Sequence, residues 1–354
     1  MRSERYHILV VGAGPAGSSA ALTAAREGVR VLLVERRPVI GIPVRCAEYI
    51  PAPLMGQIDL GGPFVVQAIH GMRTILPDGE IKEMRAPGFT IRRDLFDQAL
   101  AGRAGEAGAE ILLSTKVLSK NGEEVIVKEK DGQLSRVRAD VIIGADGPHS
   151  TVGRWIGARN QHLVAAVQVR VPLAREMQFT EVYFHKEIYG GYGWLFPKGR
   201  EANVGVGMKK SGAGVQSLNK ALEHFLGRLA KEGKVRGKPY GSTAGWVPAE
   251  PLSKIAHGNI LLVGDAAGHT HPITGAGVSQ AVISGQMAGK CAARAVLEGD
   301  QDILSEYEIE WRNLFEETQK RAFERRQMLE QNWDRLEEII RYCWVAFREY
   351  YAKA

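Results

Sequence analysis

The residue types best able to do chemistry stand in five places along the chain. The first is Gly12-Ala-Gly14-Pro-Ala16-Gly17. An apolar run, Ile8 to Val11, leads into it. A small-residue helical pattern to Arg26, a stop at Gly28, a second apolar run from Val29 to Val34 and then Glu35 follow. Strand, glycine turn, helix, strand and acid is the order that a dinucleotide site requires. Gly12 permits the tight turn, Gly14 admits a pyrophosphate to the backbone, and Gly17 lets helix and strand approach. The helix N-terminus faces the phosphate charge, and Glu35 stands where a carboxylate accepts hydrogen bonds from ribose hydroxyls. The alternative is a structural turn in an α/β domain. The complete β-α-β context with its terminal acid outweighs it.

The second place is the loop Gly41-Ile-Pro43-Val-Arg45-Cys46-Ala47-Glu48, just past Arg36-Arg37-Pro38. An Arg and a Cys here could sit over a cofactor, but on its own Cys46 reads as a buried, inert thiol. The third is Gly144-Ala-Asp146-Gly147, where an apolar strand from Ala139 runs into an Asp-Gly turn at a sheet's ligand-binding edge. The fourth is Tyr192-Gly-Trp194-Leu-Phe196-Pro-Lys198-Gly199. Its three aromatics share one face of a strand, as core or as the wall of an apolar ligand site. The fifth is Gly264-Asp265, then His269-x-His271 and Gly275-Ala-Gly277-Val278, where glycines again open a helix. The two histidines have no third ligand nearby and read as loop residues near a cofactor edge, so no metal site is expected.

These places need elements to hold them. Val167, Val169 and Val171, Val182 and Phe184, and Val204 and Val206 alternate with period two, which predicts a half-buried antiparallel sheet over 163–208. A helix over Gln216 to Lys231 packs on it. A helix from Leu95 to Ala107 ends at Gly108, and a long small-residue helix runs to about Leu297. Residues 52–90 read as loop-rich, with short strands at 64–68 and 74–76 and a hairpin turn at Asp78-Gly79. Beyond 301, Leu329, Trp333, Leu336, Ile340, Trp344, Phe347 and Tyr351 recur at helical spacing. These helices pack on the body or form a dimer.

Composition sets bounds. The 354 residues carry 46 Lys+Arg against 40 Asp+Glu, a formal charge of +6, with 24% charged residues. That mild excess suits anionic cofactors and a membrane surface. No basic run with interleaved aromatics marks a nucleic-acid binder. The three cysteines, Cys46, Cys291 and Cys343, make neither a metal-ligand spacing nor a disulfide framework, and they are too few for a four-iron cluster. A reducing, cytoplasmic setting is expected. The start of the chain has no signal-peptide pattern. The uncharged stretch His7 to Ala25 reads as nucleotide fingerprint and not as a membrane span.

Taken in order, GAGPAG with Glu35, Arg93 in RRDLFD, GADG and LLVGDAAGHTHPITGAG resemble the FAD-dependent enzymes of the p-hydroxybenzoate hydroxylase fold. PVRCAE (43–48) and YGWLFPKG (192–199) narrow the resemblance to the geranylgeranyl reductase family. The resemblance covers roughly residues 6–300. It implies a Rossmann-like α/β FAD-binding domain with a parallel sheet, an antiparallel-sheet substrate domain and C-terminal helices. The expected division is 1–66, 91–162 and 252–300 for FAD, 67–90 and 163–251 for substrate, and 301–354 for the helical region.

By the same resemblance, Gly12, Gly14, Ala16, Gly17, Glu35 and Arg36 hold the ADP part of FAD, and Val117 touches the adenine by its backbone. Arg45, Cys46, Ala47, Arg93, Asp146, Gly264 and Asp265 complete the cofactor site. Gly275, Gly277 and Val278 offer N–H groups to flavin N1 and O2, where reduced flavin carries negative charge. Tyr192, Trp194 and Phe196 line the substrate cavity; an alkene also needs an acid beside it, for which Cys46 and Tyr192 are the candidates, with the flavin itself or a bound water as the alternatives. Where the family often has glycine after the loop glutamate, this chain has Tyr49. The implied activity is saturation of isoprenoid double bonds by reduced flavin. The outside reductant is NADPH, a ferredoxin or a deazaflavin, and the lipid substrate implies peripheral contact with a membrane. The rivals are a monooxygenase on the same fold, a non-redox cyclase and a flavoprotein that only relays electrons.

Overall fold

The computed structural model describes residues 3–209 and 214–352. Buried apolar runs without alternation make a sheet covered on both faces, as parallel strands require. Its strands lie in the order Ala256–His257, Ile260–Leu262, Leu134–Gly144, Ser3–Val11, Val31–Val34 and Glu110–Leu112. The four strands from Ile260–Leu262 to Val31–Val34 pair in parallel, as does Glu110–Leu112 with Val31–Val34. The hairpin Lys116–Asn121 and Glu124–Lys128 extends the sheet antiparallel to Leu134–Gly144.

Two helices, Pro15–Arg26 and Val278–Glu298, pack closely against each other beside this sheet because small residues face the contact. A Cβ on Gly285 would lie 2.2 Å from the Ala16 carbonyl oxygen, and one on Gly289 would lie 2.4 Å from that of Ala20. Larger side chains there would push apart the two helices whose N-termini frame the site.

The second sheet runs Tyr240–Pro248, Leu163–Pro172, Glu201–Lys209, Tyr192–Lys198, Phe179–Tyr183, Val65–Ile75, Ile81–Ile91 and Tyr49–Pro51. It is antiparallel apart from the pairing of Phe179–Tyr183 with Val65–Ile75. One face packs on the helix Gly214–Lys231 through Leu222, Phe225 and Leu229. The other turns toward the first sheet's ligand edge.

The loop-rich reading of 52–90 is corrected here. Val65–Ile75 and Ile81–Ile91 form one long hairpin, closed at Asp78-Gly79, where Gly79 takes φ 89°. Exposed residues on both sides of these strands hid the alternation, and irregular register at Val65/Gln67 and Ile69/Gly71 broke its phase. The second sheet also takes up Tyr49–Pro51, Val65, Val66 and Ile91, which the sequence reading assigned to the nucleotide part.

The C-terminal region packs on the body. The helices Leu304–Gln331 and Leu336–Cys343, with Trp344, Phe347 and Tyr350, bury an apolar cluster against Leu76, Val182, Phe184 and Ile273. Trp344 is fully buried, and its indole N–H donates to Thr74 Oγ1 at 2.7 Å. Among the described residues no helix is long and apolar enough to cross a membrane.

Candidate active site

The glycine turn fits a pyrophosphate on its own geometry. Gly12 has φ 102°, and a Cβ on Gly17 would lie 1.8 Å from the Gly12 carbonyl oxygen. Both positions therefore exclude side chains. Gly14 meets open space instead, and the helix it caps has no side-chain cap, so its first N–H groups are left for a ligand. Glu35 leans back over this turn. Oε2 accepts from Ala13 N–H and Oε1 from Arg37 N–H, both at 2.9 Å. Thr115 N–H reaches the Glu35 carbonyl, which brings the Val117 backbone near this end while the Val117 side chain stays in the core. Arg36 is exposed beside it. Ala16 lies under Gly264, where a Cβ would come within 2.9 Å of its methyl.

At the far end of the cleft, Arg93 is half-buried and makes a two-pronged pair with the buried Asp97 at 3.0 and 3.1 Å. Burial opposes its charge, but Asp97 and Cys46 overcome that and hold the guanidinium above its ordinary value. Asp265 carries a carboxyl that burial pushes up to about 6, against the pull of Arg93. A half-buried carboxyl beside Gly277, with a cation within reach, suits the hydroxyls of a ribityl chain. The turn that follows is tightly closed. His271 N–H donates to Ala276 O and Gly275 N–H to His271 O, at 2.8 and 2.9 Å. Gly277 then opens the helix Val278–Glu298 without a side-chain cap.

Several expectations shift. Gly275 N–H is engaged within its own turn, so the open donors lie at Gly277 and Val278. Asp146 caps the helix Thr151–Trp155. Its Oδ1 accepts from Ser150 Oγ, and its Oδ2 from the N–H groups of Thr151 and Val152. Its carboxylate acts structurally, while its neighbour Ala145 packs against Gly12. The Tyr192 hydroxyl donates to the Thr274 carbonyl, and burial pushes it well above its ordinary value. It is thereby a tether for the turn and a poor acid. His269 is buried and stacked on Trp311, and no metal-binding group occurs among the described residues.

The aromatic strand behaves as its period requires. Gly193 and Leu195 face the helix Gly214–Lys231, and Tyr192, Trp194, Phe196 and Lys198 face the other way. Trp194 is recessed into the sheet because Gly205 lies beneath it. A Cβ there would meet the indole at 2.2 Å. Tyr49 fills the place of the family glycine by docking over Gly88, and its ring meets Phe196 edge-on at 6.2 Å. Phe184 and Trp344 close the Tyr192 end.

The sequence reading missed what joins this face to the Cys46 loop. Glu48 is 4% exposed and takes φ 68°, a conformation that strains a non-glycine residue. Lys198 Nζ (2.6 Å) and Asn203 Nδ2 (2.9 Å) both donate to its Oε2, and Arg93 N–H donates to its Oε1 at 3.0 Å. Asn203 also donates to Ala47 O, and Gln168 donates to Cys46 O while accepting from the Trp194 indole. Glu48 N–H donates to Cys46 Sγ at 3.2 Å. Arg45 lays its stem against Gly245 and remains exposed. The Lys following the aromatic strand was the available signal, since a lysine on an otherwise apolar strand face needs a buried acid.

Cradle, Arg–Asp pair and uncapped second helix together fit the cofactor of an FAD-dependent oxidoreductase. Family models agree: "FAD binding domain" matches residues 89–322 and "FAD dependent oxidoreductase" matches 7–148. Digeranylgeranylglycerophospholipid reductase 1 of Methanococcoides burtonii is 36% identical over 334 residues, 88% of this chain and 81% of its own. Its counterpart in Methanopyrus kandleri is 36% identical over 345 residues, covering 92% and 90%. A geranylgeranyl bacteriochlorophyll reductase-like protein from Thermoplasma acidophilum superposes with a TM-score of 0.84 at 29% identity, covering 95% of this chain and 92% of that one. A probable FAD-dependent monooxygenase from Pseudomonas aeruginosa (TM-score 0.70, 18% identity, 95% and 100% covered) shares the fold alone. The chain belongs to the FAD-dependent geranylgeranyl reductase family.

Proposed function

We propose that this enzyme saturates double bonds in the isoprenoid chains of a glycerophospholipid, the substrate named for its relatives. The observation that carries this reading is the pinning of the Cys46 loop onto an aromatic strand face by Gln168, Asn203 and Lys198. Gly12–Gly17, Glu35, Arg93, Asp265, Gly277 and Val278 would hold FAD, which, once reduced by an outside donor, would supply the hydride. Trp194, Phe196 and Tyr49 hold the chain dry, and their π faces stabilise positive charge that builds on a tertiary carbon.

An isolated alkene has no carbonyl to polarise, so a proton must be delivered to the carbon opposite the hydride. Cys46 is the donor. Its thiol lies beside Arg93, and its sulfur accepts from Glu48 N–H at 3.2 Å, which fixes where the thiol points. Tyr192 holds the Thr274 turn instead. The outside reductant is NADPH, a ferredoxin or a deazaflavin, and the substrate brings the protein to a membrane surface.

The test is to incubate dithionite-reduced holoenzyme with isoprenoid lipids and weigh the products. Each reduced alkene adds about two mass units. If every product retains its unsaturation, the reading is wrong. A cyclised product of unchanged mass would mark an isomerase.

A further inference from the structure

The helix Leu304–Gln331 carries a buried guanidinium outside the described cofactor cradle. Arg326 is 7% exposed. One terminal nitrogen donates to Pro272 O at 3.0 Å and the other to Gly190 O at 2.7 Å. Nε pairs with Glu330 at 2.8 Å, and the second Glu330 oxygen accepts from Lys209 at 2.6 Å. Pro272 lies in the turn that leads to Gly277. Gly190 stands two residues before Tyr192, whose hydroxyl returns to Thr274 O in that same turn. The contacts close a ring: Arg326, Pro272, Thr274, Tyr192, Gly190 and back to Arg326.

We propose that Arg326 is a positioning residue, which fixes the 271–277 turn, and so the N–H groups of Gly277 and Val278, relative to the aromatic strand. The inference rests on the proposed placement of the flavin edge at those N–H groups. A planar guanidinium can hold two carbonyls of different segments at once, and a lysine ammonium lacks that fork. Stability alone is better served by apolar residues, because a buried charge must be desolvated. Both carbonyls belong to segments that carry site residues. A rigid donor pair at the flavin edge favours reduced over oxidised cofactor, since the negative charge develops there.

Hydrogen exchange of the 269–278 peptide in the FAD-free protein is compared among wild type, Arg326→Lys and Arg326→Met. Affinities for oxidised and reduced FAD are measured on the same proteins. Arg326→Met is expected to speed exchange roughly tenfold and to weaken reduced FAD more than oxidised FAD. Arg326→Lys should fall between it and wild type. Unchanged exchange, or equal loss of both redox forms, overturns the proposal. If Arg326→Met does not fold, Arg326→Lys decides, and wild-type behaviour on both readouts overturns it. The placement is tested separately, because FAD added to wild type must slow exchange at 275–278. Absence of that slowing refutes the flavin placement itself, whatever the variants do.

Discussion

Removing the Lys198 ammonium tests the join between the two sheets most directly. In Lys198→Met the Glu48 carboxylate keeps Asn203 Nδ2 and Arg93 N–H but loses the ammonium paired with it at 2.6 Å. The two side chains are 7% and 5% exposed, so water cannot replace the ammonium without opening the loop. Breaking a buried pair from one side costs about 3–5 kcal/mol. The two remaining donors to a charged acceptor place this case near the lower end, at about 3 kcal/mol. Glu48→Gln leaves the ammonium stranded and should cost a similar amount. The double variant leaves no buried charge and should be less destabilised than the two singles summed, by about 2 kcal/mol or more. Urea unfolding of the FAD-free proteins gives these numbers. FAD titration should show weaker binding in both singles, because Glu48 also orients Arg93 N–H and the Cys46 loop. A Lys198→Met cost below about 1 kcal/mol, or additive singles, would refute the view that this pair pins the loop.

Two further outcomes follow from the same geometry. Gly205→Ala places a methyl 2.2 Å from the Trp194 ring and 2.6 Å from Val167 O, so the indole must leave its recess at a cost of about 1–3 kcal/mol. Thermal unfolding should register that loss, and turnover should fall while FAD occupancy holds. Loss of FAD instead would mean that the strand does not face the substrate. Asp265→Asn should stabilise the FAD-free protein. Burial raises the Asp265 carboxyl from 3.8 to about 6, so the folded state favours the neutral acid. Its stabilising contribution is complete below about pH 4 and is lost as pH rises through 6. Above that the variant gains about 2–3 kcal/mol over wild type. Stability curves that run parallel from pH 4 to 8 would contradict this, and weaker FAD binding by the variant is expected throughout.

The glycine turn and its acid were legible in the sequence because their geometry is local. Gly12, Gly14, Gly17 and Glu35 act through one turn and its two flanking strands, so spacing alone carries the requirement. The aromatic face was legible for the same reason, since period two puts Tyr192, Trp194 and Phe196 on one side of any strand. The chain's order could not reveal which hydrogen bonds those groups make once the two sheets meet. Asp146 turned inward to cap a helix, Gly275 closed its own turn, and Tyr192 donated its hydrogen bond to the Thr274 carbonyl. Glu48 met Lys198 across 150 residues of sequence, and Arg326 reached Pro272 and Gly190 from a helix whose amphipathic pattern showed only that it packs. Such pairings depend on which partners lie within about 3 Å after burial. That is fixed by the packing of the sheets and the C-terminal helices, not by any neighbour in the chain.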